Sequence, residues 1–293
     1  MLSSADFVPV TFANKAVLDR YLAQYPQAHS EYSPVTILSW ADHYPCSFAE
    51  YEGHLILECV HDGFRQIYAP IGPADADAID AAYAYARSVG AAFSFFDEET
   101  RALFAARHPD VEIEEVRGYF EYCWYTQTLA ELKGKPFVGI RGQINRFLRE
   151  YAYTVEPVTA ENMPEVRDLI VQWAAEKAAD DGSMMHDEVA AVSVSLDHFA
   201  DLRLEGILLR IGGTAVAVAI WENMPADVVL IHYEKGLREF PGIYKIINWE
   251  TAKYLQNRYK IINRESDVDD PGLREAKMRY HPDLFIRAYI VTA

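Results

Sequence analysis

The chain runs through one order of secondary-structure elements twice, and this repetition restricts its fold more than any single motif. In the second half, residues 153–158 alternate like a strand. Residues 162–179 have helical spacing, with Met163, Val166, Leu169, Ile170 and Trp173 on one apolar stripe. Residues 186–202 form a second helix with Val189, Val192, Leu196 and Phe199 inward. Residues 206–211 and 215–221 are β-rich runs joined at Gly212-Gly213, a hairpin signal. A strand at 228–233, a helix at 242–259, a strand at 260–263, a helix at 271–280 and a strand at 284–291 follow. The first half carries a fainter copy. Its helices are expected at 14–24, 37–42, 74–89 and 98–107. Its strands are expected at 47–51, 54–60, 64–69, 92–96, 111–116 and 119–126, with turns at Glu52-Gly53 and Asp62-Gly63.

Three antiparallel strands followed by helix, strand and helix is the order of the GNAT acyltransferase fold. The expectation is an α+β protein of two tandem GNAT-like domains, residues 1–130 and 131–293. Each would be a mixed, mostly antiparallel sheet flanked by helices. The halves share little residue identity, so the duplication is one of element order. In a GNAT fold the fourth strand and the helix after it splay open to hold an acyl donor. Gly242 then opens the donor helix, whose free N–H groups suit a phosphate. The usual acetyl-CoA fingerprint is missed by one residue in Arg238-Glu239-Phe240-Pro241-Gly242-Ile243.

Composition excludes other classes. The formal charge of −17 opposes long-range attraction to nucleic acid or to an anionic bilayer. No stretch approaches the roughly 18 apolar residues of a membrane span, and the N-terminus lacks a secretion signal. Cys46, Cys59 and Cys123 have no metal-type spacing and read as reduced packing residues of a cytoplasmic protein. His54, His61 and His198 lack ligand spacing, and Met184-Met185-His186 reads as a loop and helix start, not a metal site. No nucleophile elbow, P-loop or dinucleotide fingerprint is present.

Residues 263–282 concentrate acids and bases around a Pro-Gly turn and a short helix. Pro271 suits a first helical turn, and Asp267, Asp269 and Asp270 precede it where the helix dipole favours negative charge. Arg274 and Lys277 lie three apart on one face. The pattern alone fits a capped surface helix with solvated ion pairs better than a site.

Three blocks resemble the DUF2156 family, related to the C-terminal catalytic domain of phosphatidylglycerol lysyltransferases. They are residues 129–151 with Arg141-Gly142-Gln143-Ile144-Asn145-Arg146-Phe147, residues 231–248 with His232-Tyr233-Glu234-Lys235 and Gly242-Ile243-Tyr244, and residues 263–282. Ser33 and Trp40 sit at the expected early motif. The first block keeps only Arg141 of the family's Lys-Arg-Asn-His, and Asp269 stands where the family has Gly. The resemblance implies a tandem-GNAT protein that moves an aminoacyl group from aminoacyl-tRNA. Family members that modify lipids carry membrane segments upstream, which this chain lacks.

Glu234 then becomes a candidate base that takes a proton from an attacking amine. Its bland reading is an ion pair at the sheet edge. Lys235 is a donor-binding candidate, or a partner for Asp267. Asp267 suits an aminoacyl α-ammonium, Arg274 a carboxylate or phosphate, and Lys277 a developing oxyanion. Their alternative is a structural network. Arg141 belongs to a basic island that either meets a polyanionic donor or is the solvated side of a helix burying Ile144, Phe147 and Leu148. Gly242, Tyr244, Asn263, Glu265 and Tyr280 complete the substrate- and donor-binding set, Asn263 and Tyr280 as positioners or core polar groups.

Three functions follow as hypotheses. The first is an acyl- or aminoacyltransferase acting on an amine or hydroxyl of a small-molecule acceptor. Its donor would be aminoacyl-tRNA or acyl-CoA with no tightly bound cofactor, and net charge weighs against tRNA. The second is a non-catalytic binding module for an amino acid or other small ligand. The third is a purely structural protein.

Overall fold

The computed structural model describes residues 2–61, 63–178 and 184–292. The chain divides into two compact units, Met1–Phe120 with Ile286–Ala293, and Glu121–Phe285.

The first unit begins with β1 (Val8–Pro9), α1 (Lys15–Gln24) and α2 (Pro34–Ser39). Ser33 caps α2 by accepting from the Val35 and Thr36 amides at 3.0 and 3.3 Å, with Pro34 in the first turn. β2 (Cys46–Tyr51), β3 (His54–His61) and β4 (Phe64–Tyr68) form the antiparallel meander. α3 (Ala76–Val89) ends at Gly90 in the left-handed region (φ 65°), as expected from sequence. β5 (Ala92–Ser94), α4 (Glu98–Arg107) and β6 (Glu114–Glu115) follow. Asp97 caps α4 on the Thr100 amide at 2.7 Å. Phe93, Phe96, Phe104 and Tyr83 supply the aromatic centre of this core.

The second unit contains β7 (Glu121–Tyr125), α5 (Thr126–Glu131), α6 (Val138–Glu150), β8 (Tyr153–Pro157), α7 (Met163–Ala178) and α8 (Met184–Asp197). It continues with β9 (Glu205–Ile211), β10 (Thr214–Met224), β11 (Val228–Gly236), α9 (Ile243–Leu255), β12 (Ile261–Asn263), α10 (Pro271–Met278) and β13 (Leu284–Ile286). The last strand, β14 (Tyr289–Val291), belongs to the first unit. The core of the second unit sets Ile207, Leu209, Trp221, Val229 and Ile231 of the sheet against Ile246 and Ile247 of α9 and Phe147 of α6.

Both sheets have seven strands, ordered β1-β2-β3-β4-β5-β14-β6 and β8-β9-β10-β11-β12-β7-β13. The two orders match position for position, and β4–β5 and β11–β12 are parallel in their respective sheets. This is the tandem GNAT-like architecture expected from the repeated element order. Counted along the chain, however, each repeat's seventh strand lies in the other sheet: β7 pairs with β12, and β14 with β5. The boundary read at 130/131 assigned 119–126 to the first half, whereas the units divide after Phe120. The single final strand read over 284–291 is two strands, one in each sheet.

Other differences are local. Cys46 and Cys59 are joined in a disulfide, correcting their reading as reduced thiols; they face each other directly across β2 and β3, within bridging reach. Cys123 is free and buried. In α6 the buried residues are Ile140, Ile144 and Phe147, and Leu148 is exposed. α8 opens at Met184 and stops at Asp197, not Leu202. The side chains of Met184, Met185 and His186, the expected helix end at Ala179, and Asp62 of the Asp62-Gly63 turn lie outside the described residues. Among the described residues no helix is long and apolar enough to cross a membrane.

Candidate functional site

β11 and β12 run parallel for three residue pairs, Val228–Ile261 to Leu230–Asn263, where the pairing ends. β11 then continues to Gly236 with β10 as its remaining strand neighbour, leaving a fork on the other side. At the mouth of the fork the register shifts. Ile220 faces Tyr233 but Trp221 faces Ile231, so His232 is an additional residue in β11. This bulge reverses the alternation beyond it. Ile231 and Glu234 therefore point to the α9 side, while Tyr233 and Lys235 point to the α7–α8 side.

The bulge decides the fate of two candidate residues. Glu234 accepts from Asn248 Nδ2 of α9 at 3.1 and 3.4 Å and pairs with Arg264, which leaves β12 just past the last paired residue. Lys235 pairs with Glu188 of α8 and lies 4.2 Å from the Trp173 ring centre. It does not pair with Asp267, because adjacent residues on a strand project to opposite faces.

His232 is buried between two carboxylates. Its Nδ1 donates to Glu265 Oε1 at 2.8 Å and its Nε2 to Glu222 Oε1 at 3.0 Å. Burial alone would favour neutral imidazole, but the two acceptors overcome it and raise the pKa to about 10. The ring is an imidazolium at neutral pH and cross-links β10, β11 and the segment after β12.

Asp267, Arg274 and Lys277 converge as expected, with most of their bonding capacity used internally. Asp267 is fully buried and accepts from Arg274 Nε and Nη2 at 2.8 and 2.7 Å, from the Asp269 amide at 3.0 Å, and from the Tyr122 hydroxyl. Burial works against its charge, yet the Arg274 and Tyr122 bonds hold the carboxyl at about 2. Arg274 also pairs with Asp269 at 2.6 Å. Lys277 donates to the backbone carbonyls of Arg264 (2.7 Å), Glu265 (3.2 Å) and Ser266. Burial brings its ammonium down to about 8. These bonds fasten α10 to the segment leaving β12, whose backbone is left-handed at Glu265, Val268 and Asp269.

Asn263 donates to buried Glu121 at 2.7 Å and accepts the Glu265 amide at 2.9 Å, which positions that segment. The Tyr280 ring lies 4.9 Å from Lys245 Nζ and 5.5 Å from the Arg264 guanidinium carbon. Burial pushes its hydroxyl above the usual tyrosine range. Gly242 caps α9 at φ 96°, a conformation glycine adopts cheaply. Tyr244, partly exposed, accepts from Trp173 Nε1 at 3.1 Å. Arg141 donates to the carbonyls of Leu132 and Gly134, two left-handed residues, so its fork holds a loop. Its neighbours Lys133 and Arg146 pair with Glu131 and Glu150, acids just outside the basic island.

The candidate set read from sequence does not include Glu121, Tyr122, Glu222, Lys245, Asn248 or Arg264, although Asn248 and Arg264 fall within the blocks that carry the resemblance. Glu121 and Tyr122 carried no usable signal, since they reach the site on a strand assigned to the other half. Lys245 and Asn248 were legible in part, being three apart on the helix that Gly242 opens.

A parallel pair that forks beside a glycine-capped helix is the GNAT-like arrangement, seen in the second of the two tandem GNAT-like domains. The chain belongs to the family described as phosphatidylglycerol lysyltransferase, C-terminal, whose model matches residues 22–292. It is similar to a conserved protein of unknown function from Bacteroides thetaiotaomicron, with 27% identity, a TM-score of 0.87, and coverage of 97% of this chain and 98% of that one. L-PGS from Bacillus licheniformis shares the fold at 16% identity, with a TM-score of 0.65 over 94% of this chain and 91% of that one. So does the C-terminal DUF2156 domain of a putative lysylphosphatidylglycerol synthetase from Agrobacterium fabrum, at 16% identity, TM-score 0.64, and 95% and 92% coverage. No curated protein matches the sequence significantly.

Proposed function

We propose that the protein is a transferase that moves an activated acyl or aminoacyl group to an amine or hydroxyl acceptor at the fork of the second sheet. The observation that carries this reading is the bulge at His232, which turns Glu234 toward α9 where the parallel pair has ended. In that position Glu234 takes the proton from the attacking amine or hydroxyl, directly or through one water. Arg264, released from Glu234 as the acceptor enters, stabilises the oxyanion of the tetrahedral intermediate, whose collapse breaks the bond to the donor and expels its alcohol or thiol, protonated by the proton Glu234 took. Asp267, Arg274 and Lys277 hold the segment that carries Arg264, so we read them as positioning groups. The activity for which the family is named, lysyl transfer to phosphatidylglycerol, makes an aminoacyl donor the first to test.

The test offers labelled lysyl-tRNA and acetyl-CoA to the protein with a panel of amine and hydroxyl acceptors. Transfer should occur with one donor, and Glu234→Gln should lower kcat on the order of a hundredfold or more, the contribution of a positioned base. Full activity of Glu234→Gln would remove the assigned base. A second reading, a binding module without chemistry, is favoured by one observation: Glu234 is already paired with Arg264. That reading predicts thermal stabilisation by a ligand with no turnover.

A further inference from the structure

Lys245 has no role in the mechanism above, yet it lies on the fork side of α9. It is half-buried and stacks on Tyr280 at 4.9 Å, with Arg264 on the same ring at 5.5 Å. The charges it senses are Arg264, Arg279 and Glu234. Glu234 is engaged by Arg264, and Arg279 pairs with Glu275 at 2.5 Å. Among the described residues the Lys245 ammonium makes no ion pair or hydrogen bond. Burial first, and then the two arginines, hold its ammonium below the ordinary lysine range. A half-buried cation facing other cations is destabilising unless an anion joins it.

A second group nearby is also unmet. Asn248, three residues along the same face of α9, gives its Nδ2 to Glu234. Its Oδ1 is buried without a hydrogen-bond partner among the described residues, in a side chain only 3% exposed. Buried amide oxygens of this kind normally have a donor.

We propose that the fork binds a ligand oxyanion, a phosphate ester or a carboxylate, on Lys245, with an adjacent N–H or O–H of the same ligand donating to Asn248 Oδ1. The inference rests on the fork being the working site, and it gives the substrate a negative charge beside Glu234. Lys245 is a compact point charge suited to either anion, and the Tyr280 ring fixes its position.

The experiment measures binding of inorganic phosphate and of acetate, by calorimetry and thermal unfolding, with ionic strength held constant by chloride. One anion should bind saturably to the wild-type protein, and which one it is separates phosphate from carboxylate. Lys245→Met should weaken that binding about tenfold or more, and Lys245→Arg should keep most of it. The proposal is overturned if neither anion outcompetes chloride, or if Lys245→Met binds as tightly as wild type. Should Lys245→Met fold poorly, protection of Lys245 from reductive methylation by the bound anion replaces it, and absence of protection overturns the proposal. The wild-type protein separates the two readings: saturable anion binding lost in Lys245→Met, with no transfer from either donor, refutes the catalytic proposal and upholds this one.

Discussion

His232 supports the most quantitative prediction. Its folded-state pKa of about 10 stands above the ordinary 6.5, so folding stabilises the protonated ring. At about 1.4 kcal/mol per tenfold change in proton affinity, the difference amounts to about 5 kcal/mol, an upper figure for a fully desolvated ring. The sign follows from the direction of the rise. The stabilisation is complete below pH 6.5 and is lost as pH climbs through 10. That is a large fraction of the roughly 5–15 kcal/mol that holds a typical domain together. Lys277 titrates in the same window with the opposite sign, because its ammonium is held at about 8 in the folded state. Wild type is therefore compared with Glu222→Gln, which keeps Lys277 and removes one of the two carboxylates on His232. Urea unfolding from pH 6 to 10, with NMR titration of labelled histidine, reads both stability and protonation. The ring of the wild-type protein should remain charged at pH 8, and Glu222→Gln should lower its pKa toward 6.5. A wild-type His232 that titrates near 6.5 would refute the reasoning.

Three further outcomes concern stability alone. Asp267→Ala should cost about 2 kcal/mol in urea unfolding, since it removes the bonds from Tyr122 and Arg274 and leaves Arg274 paired with Asp269; a loss under about 0.5 kcal/mol would mean the pairing is not structural. In the parent protein the Asp267 contribution should hold above the ordinary carboxyl value of 3.8 and disappear as pH falls through about 2. The double variant Cys46→Ser, Cys59→Ser should unfold about 3 kcal/mol more easily than the oxidised protein, given a sequence separation of 13, and equally easily as the reduced one.

The fold was legible where periodicity and punctuation agree. Asp270 before Pro271, Gly90 after α3 and Gly212-Gly213 between β9 and β10 each fall at an observed boundary. The seventh strands were misassigned because pairing across the length of the chain leaves no local trace: β7 and β14 have ordinary strand sequences whichever sheet they join. The site was half legible. Residues 263–282 bring acids and bases together, but charge pattern alone cannot say whether they bond to each other or await a ligand, and Asp267 and Arg274 bond to each other. Glu234 lies toward α9 and Lys235 on the opposite face, a split set by the bulge at His232, which depends on a one-residue mismatch between strands that neither strand reveals alone.

The reciprocal loan of terminal strands governs how this chain can be made. The sheet of the amino-terminal unit holds Phe93 against Val291, so that unit lacks a strand until residues 289–291 have been translated. A nascent chain therefore waits on the ribosome with an open sheet edge, which invites aggregation or chaperone binding. A fragment ending before residue 289 keeps that edge permanently, so neither repeat can be excised as an independent module.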